Sequence, residues 1–170
     1  MNVPVLQTER LIMREPAEPD LDAVAAISAD PEVMRWLGSE PIDRAGAWRR
    51  MAYGVGHWRL RGFGQWALER RDTGEFAGQA GLYRPEGWPG TEVGWTLGRA
   101  HWGHGFATEA ARAALDWGWR ELDVDRIVSV IVPENERSTA VAKRLGMTDS
   151  GERFDYLGHH HVVWEIARPA

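Results

Sequence analysis

The 170-residue chain has no cysteine, which rules out disulfides and a cysteine nucleophile and fits a reducing compartment. It also lacks any stretch approaching the ~20 apolar residues that a membrane span needs. Its start, Met1-Asn2-Val3-Pro4-Val5, shows no basic segment followed by an apolar one. A soluble cytoplasmic protein with no membrane partner is the expectation. Positive charge is not in excess either: the formal net charge is −5. Nucleic-acid binding rests on clustered Lys and Arg, so nucleic acid is not expected as a partner, whereas a cationic substrate is allowed. No internal repeat, low-complexity stretch or linker interrupts the sequence, and one domain over residues 1–170 is expected.

What the chain does have is an ordinary supply of core, 44% hydrophobic against 26% charged residues, and ten tryptophans. A large ring buries much area and its N–H needs one partner, so most of these read as core or interface fillers.

The order of elements follows from periodicity and punctuation. Leu11 to Arg14 reads as a first strand, ended by Pro16 and Pro19. Asp20 offers an N-cap to a helix carrying Leu21, Val24 and Ile27. Asp30-Pro31 starts a short helix with Val33, Met34 and Leu37, which Gly38 stops. Residues 43–60 place Trp48, Met51, Val55 and Trp58 at helical spacing, which predicts an apolar face there. Residues 64–69 and 76–83 read as antiparallel strands around Asp72-Thr73-Gly74, and 92–97 as the next strand. A helix over 105–120 precedes the apolar strand 126–132. Another helix from Asn135 to Leu145 ends at Gly146, and strands follow at 153–157 and 161–167. The expected fold is mixed α/β: a central twisted, mostly antiparallel sheet of about seven strands with helices on both faces. The crossover makes 92–97 and 126–132 parallel neighbours.

Between that strand and its helix lies Gly98-Arg99-Ala100-His101-Trp102-Gly103-His104-Gly105-Phe106-Ala107. Two glycines where a helix begins let the backbone approach a ligand and leave amides pointing outward, with the positive end of the helix dipole behind them. A diphosphate suits that geometry. A P-loop would need a Lys after Gly105, and none is there. A dinucleotide fold would need a third glycine where Thr108 stands, and Asp123 and Asp125 precede the next strand instead of ending it. A two-glycine turn taken alone is also compatible with a plain strand-to-helix connection.

The segment resembles motif A of the GNAT superfamily of acetyl-CoA-dependent N-acyltransferases, Gln/Arg-x-x-Gly-x-Gly/Ala, with Gly105 and Ala107 in the last two places. Trp102 departs from the first place in a way shared by one branch, the RimJ/RimL-type ribosomal-protein N-terminal acetyltransferases and their relatives. Thr108-Glu109-Ala110 fits that branch's continuation. So do Thr8-Glu9-Arg10-Leu11 with Arg14, Asp30-Pro31-Glu32-Val33-Met34, Glu92 to Leu97, and Pro133 to Ser138 followed by Lys143 to Met147.

The resemblance implies a single GNAT domain with a splayed parallel strand pair, binding acetyl-CoA and an amine acceptor, without a metal. It implies that Trp102, Gly103, His104, Gly105, Phe106, Ala107 and Thr108 meet the pyrophosphate. The edge Trp95-Thr96-Leu97 would pair with the pantetheine arm and supply oxyanion donors. Asn135 would hold the arm, besides being a natural N-cap. The family's usual Tyr acid is absent, its place taken by Ala142. Ser138 is the expected replacement, assisting the thiolate by hydrogen bond or through water, and Glu92 is the expected base, acting through a water. Glu75, Glu152 and Asp155 are weaker candidates for the base, and Glu109 reads as structural. His101 and His104 flank the turn, whereas His159-His160-His161 in a strand point to alternate faces and do not make a metal site. No Gly-x-Ser-x-Gly elbow suggests hydrolysis. Acceptor choice is expected from residues 20–60 and 84–91, with the aromatics Trp36, Trp48, Tyr53, Trp58, Tyr83 and Trp88. These suit an apolar or aromatic amine, and a protein N-terminal α-amine is the alternative. A non-catalytic acetyl-CoA-binding module and, more distantly, a nicotinamide-dependent oxidoreductase are the rival readings. Many relatives are homodimers.

Overall fold

In the computed structural model, which describes residues 3–169, the strands are β1 Leu6–Gln7, β2 Leu11–Arg14, β3 Gln65–Arg70, β4 Phe76–Tyr83, β5 Glu92–Leu97, β6 Arg126–Ile131, β7 Thr148–Tyr156 and β8 His159–Ala167. The helices are α1 Leu21–Ser28, α2 Pro31–Met34, α3 Arg44–Arg61, α4 Phe106–Glu121 and α5 Glu136–Arg144. Met1 and Asn2, the first two residues of the start considered above, lie outside the described residues. All eight strands form one sheet in the order β1-β2-β3-β4-β5-β6-β8-β7. The sheet thus has one strand more than the seven or so expected, because the two-residue β1 is too short to show a period in sequence. β5 and β6 are parallel and the other neighbours antiparallel.

Register sorts the side chains onto two faces. Residues directly opposite in an antiparallel pair share a face, so Tyr83, Gly81 and Gln79 go with Glu92, Gly94 and Thr96, and Leu82 and Ala80 go with Val93 and Trp95. The second face packs on α4: a Cβ on Gly118 would come within 2.7 Å of Leu82. The first face is covered by α1, whose Val24 and Ile27 enclose a small space with Gln79 and Thr96. Helices therefore lie on both faces.

Local chemistry sets most helix ends. Asp30 Oδ1 accepts the Glu32 N–H at 2.9 Å with Pro31 in the first turn, and Asp43 Oδ1 accepts the Gly46 N–H at 2.7 Å. Gly38, at φ 65°, closes the turn after α2. Asp20 departs from the expected role. Its carboxylate accepts Arg14 Nη1 and Nη2 at 2.9 and 2.7 Å and the Ala17 N–H at 2.8 Å, and it makes no side-chain cap to α1. A bidentate charged partner outcompetes neutral helix amides.

α3 also differs from its reading. Trp48 and Val55 are exposed, at 51% and 39%, and the buried members are Ala47, His57 and Trp58. The inward stripe runs through Ala47, Arg50, Met51, Gly54 and His57, and its middle lines a cavity. Hydropathy misplaces such a face because Arg50, Gly54 and His57, which border the cavity, are not apolar. Below it, Trp58, Trp66 and Trp117 meet edge-on, with centroids 4.9, 5.3 and 6.0 Å apart, and join α3, β3 and α4 in one core. The Trp58 and Trp66 indoles donate to the Gln65 and Pro4 carbonyls, so their burial leaves no polar atom stranded.

Candidate active site

The turn into α4 is shaped by two glycines in the left-handed region, Gly103 at φ 81° and Gly105 at φ 82°. Gly105 is the N-cap residue and has no side chain to fold back on the helix. Among the described residues, the N–H groups of Gly103 to Thr108 make no hydrogen bond. Six consecutive free amides at a helix start form a cradle for an anion. A brace from the other end of the chain holds it. Arg10 Nη1 donates to the His104 carbonyl at 2.8 Å, and the Arg10 N–H and Nε donate to Glu109 at 2.8 and 2.7 Å. Thr8 Oγ1 donates to Glu109 Oε1 at 2.6 Å, and the Arg10 guanidinium lies 4.8 Å from the Phe106 ring centre. Burial alone would push the Glu109 carboxyl up, but the bonds from Thr8 and Arg10 hold it below its usual value. Glu109 is structural, as expected, and Thr8-Glu9-Arg10 explains itself as the brace. Trp102 spends both N–H groups inside the protein, the backbone one on the Arg99 carbonyl and the indole on Leu97 at 2.9 Å. It therefore shapes the turn, and the donors begin at Gly103.

Beside the cradle the sheet opens. β5 and β6 pair only at Glu92 and Val128, where the Val128 N–H donates to the Thr91 carbonyl. Two residues on, the Val130 N–H donates instead to Glu92 Oε1 at 3.1 Å. A carboxylate thus takes a bond that would otherwise continue the ladder, and the strands separate. The same alternation that turns Thr91 toward β6 turns Trp95 and Leu97 toward the gap, whereas Gly98 bonds to Ala77 on the β4 side. Trp95 and Leu97 therefore present main chain to the gap, and the Leu97 carbonyl is already taken by Trp102. Thr96 turns its main chain to β4, where its carbonyl would lie 2.2 Å from a Cβ on Gly78.

On the second face of the sheet, Asn135 Oδ1 accepts the Ser138 N–H at 3.1 Å, the N-cap role. Its amide nitrogen makes no hydrogen bond among the described residues. Ser138 Oγ accepts the Trp95 indole N–H at 3.3 Å. With a lone pair used this way, the hydroxyl proton is left to donate elsewhere. Trp95 is thus tied to Ser138 across the gap, a link no sequence spacing shows. Ala142, where a Tyr would stand, is fully buried.

On the first face a cavity of about 1260 Å³ reaches from the cradle through the gap to α3. Glu92 borders it, buried, with Oε2 accepting the Trp88 indole at 2.6 Å. Desolvation pushes this carboxyl up to about 7, against the opposing hydrogen bonds from Val130 and Trp88. Of the expected aromatics, Tyr53, Tyr83, Trp88 and Trp36 line the cavity, whereas Trp58 is core and Trp48 faces outward. Trp88 meets Tyr83, Phe154 and Tyr156 edge-on at 5.5, 5.0 and 4.9 Å. Tyr156, from the distant β7, was not legible as a site residue, because nothing local marks it. Burial and the Tyr53 hydroxyl raise the Tyr83 phenol well above its usual value, so it stays neutral. His57 is spoken for on both nitrogens: Nε2 accepts the Arg84 N–H at 3.0 Å, and Nδ1 donates to the Phe63 carbonyl at 2.8 Å. Burial lowers its pKa further, so it is a neutral strut.

The weaker carboxylate candidates lie elsewhere. Glu75 pairs with Arg70, Glu152 with Arg126 and Asp155 with His160, all on the surface. His161 is buried and His160 exposed. Among the described residues no three His, Cys, Asp or Glu are grouped to hold a metal ion, and no helix is long and apolar enough to cross a membrane.

A row of free amides at a helix start thus opens beside a parted parallel strand pair, with Glu92 on one face of the sheet and Ser138 on the other. Residues 10–148 match the Acetyltransferase (GNAT) domain, and the chain belongs to the GNAT acetyltransferase family. It is 31% identical to the uncharacterized N-acetyltransferase p20 of Bacillus licheniformis over 89% of this chain and 86% of that one. A solved acetyltransferase from Agrobacterium tumefaciens is 32% identical and superposes with a TM-score of 0.87 over 98% of this chain and 95% of that one. The fold is also that of a ribosomal L7/L12 alpha-N-protein acetyltransferase solved with coenzyme A, at 18% identity and a TM-score of 0.78 over 96% of this chain and 98% of that one.

Proposed function

We propose that the chain transfers the acetyl group of acetyl-CoA to a primary amine by direct attack within a ternary complex. The free amides of Gly103, His104, Gly105, Phe106, Ala107 and Thr108 bind the diphosphate, and the Arg137 guanidinium, 4.5 Å from the Trp102 ring centre, adds positive charge beside them. The Trp95 main chain holds the pantetheine arm across the gap, and its N–H faces the position of the developing oxyanion. Thr96 and Leu97 fix that edge, and the free amide nitrogen of Asn135 donates to the arm. Glu92, poised at about 7, takes the proton of the ammonium through a water, because a carboxyl titrating near the working pH serves best as a base. Ser138 directs its hydroxyl proton to the departing thiolate.

The separation of β5 from β6 by Glu92 carries this reading, because it connects the cradle on one face with the aromatic cavity on the other. The test is thiol release from acetyl-CoA with a panel of N-terminal peptides, amino acids, polyamines and aminoglycosides, on the wild type and Ser138→Ala. Acetylation of at least one amine, slowed in the variant, is the expected result. Tight coenzyme binding with no acetylated amine would establish the second reading, a non-catalytic acetyl-CoA-binding module, which the buried Ala142 in place of a Tyr acid favours.

A further inference from the structure

Arg50 sits on the inward stripe of α3, between Ala47 and Gly54, where an amphipathic helix normally places an apolar side chain. Arg50 is one of the residues that line the cavity. The one hydrogen bond it makes among the described residues runs from Nη1 to Met34 Sδ at 3.6 Å, and a thioether is a weak acceptor. No carboxylate of the described residues lies within 4.0 Å of it. Burial lowers the Arg50 pKa, opposed by the nearby Tyr83 and Tyr156 phenols, as befits a cation held without a counter-ion.

A guanidinium offers five N–H donors, and hiding it from water without an acceptor is strongly unfavourable. Among the described residues His101 Nδ1 is the one sealed side-chain nitrogen or oxygen without a partner, so the unpaired Arg50 donors are not sealed off, and Arg50 stands in the cavity lining. Glu92 borders the same cavity, as do His57, a neutral strut, and His161, while Arg10, Glu109, Arg112, Glu136, Arg137 and Arg144 line its coenzyme end. Glu92 makes no ion pair with Arg50, and Tyr83 lies within electrostatic reach of both. The chamber thus holds a carboxyl and a guanidinium at separate points, with Tyr53, Tyr83, Trp88 and Tyr156 around them.

We infer that the acceptor is an amine that also carries a carboxylate, an aromatic amino acid or a compound built like one, whose carboxylate is bound by Arg50. The inference rests on the acetyl-transfer reading and narrows its substrate class. A planar guanidinium grips a carboxylate through two parallel bonds. One guanidinium balances one negative charge, and a doubly charged phosphate would be left in excess near Glu92. The amine end then lies toward Glu92 and the ring against the aromatic wall.

The test compares L-phenylalanine, L-tyrosine and L-tryptophan with their decarboxylated amines, by thiol release from acetyl-CoA on the wild type, Arg50→Gln and Arg50→Lys. The wild type should prefer the carboxylated partner of a pair by about 10-fold to 100-fold in kcat/KM, the worth of a charge-assisted bond. Arg50→Gln should lose that preference chiefly through KM, with Arg50→Lys between. The rise in Tm given by CoA should be unchanged in both variants, which shows that they fold and that Arg50 does not serve the coenzyme. Binding is read separately from turnover by the further Tm shift that each amine gives the CoA-bound protein. Equal or better handling of the decarboxylated amines, or no shift from any carboxylated one, would overturn the inference. A carboxylate-selective shift without any acetylation would support it and overturn the acetyl-transfer reading instead.

Discussion

Glu92 gives one oxygen to the Val130 N–H and the other to the Trp88 indole, so its proton and the parting of two strands are linked. Its folded pKa of about 7 lies above its ordinary 4.5, so the folded state holds the proton longer than the unfolded one. The resulting stability is full below pH 4.5 and is lost as pH rises through about 7, and it amounts to about 3 kcal/mol. Urea denaturation at pH 5 and pH 8 should show that loss in the wild type and a flatter profile in Glu92→Gln. The same substitution should abolish the rise of kcat/KM through pH 7 and lower activity about 10²-fold or more. A pH–rate profile unchanged by the substitution would remove Glu92 from the chemistry. Ser138→Ala should lower kcat by about 10²-fold with little change in KM, since in the proposed reaction its hydroxyl serves the thiolate that appears late. Stopped-time thiol assays across substrate concentration separate the two parameters.

The brace and the cradle are where distant elements meet. Thr8 and Arg10 precede β2, yet they end on Glu109 and on the His104 carbonyl of the α4 turn. Gly105→Ala should cost about 1–2 kcal/mol, because a side chain must adopt φ 82° and its Cβ would come within 3.3 Å of Arg10 Nη2. CoA affinity, measured by calorimetry, should fall more than tenfold as the amides turn away. β5, α4 and α5 were legible from sequence nearly to the residue, because each joins a clean period to a cap or a glycine stop. α3 was legible as a helix but not in its orientation: Arg50, Gly54 and His57 carry a cavity wall, which hydropathy reads as a solvent face. Asp20 was misread because Arg14, six residues away in sequence, captures it. Trp95 with Ser138, and Tyr156 with Trp88, are contacts between elements that no local spacing records.

Across the whole molecule, one core supports both chambers. Trp66 is fully buried between Trp58 and Trp117, and Trp66→Ala should cost about 3–5 kcal/mol and lower Tm by about 10 °C or more in calorimetry. From that core, α4 directs its free amides at the cradle and α3 turns its polar stripe to the cavity, and the gap between β5 and β6 joins the two. The central claim is that this arrangement is built around coenzyme A. Thermal denaturation of the wild type with CoA or NAD at saturating concentration tests it most directly. A ligand specific for the native state at about 100 times its Kd adds about 2.7 kcal/mol, worth roughly 5–10 °C for a chain of this size. The account predicts a rise of that order with CoA and none with NAD. A rise with NAD alone, or with neither, would contradict it.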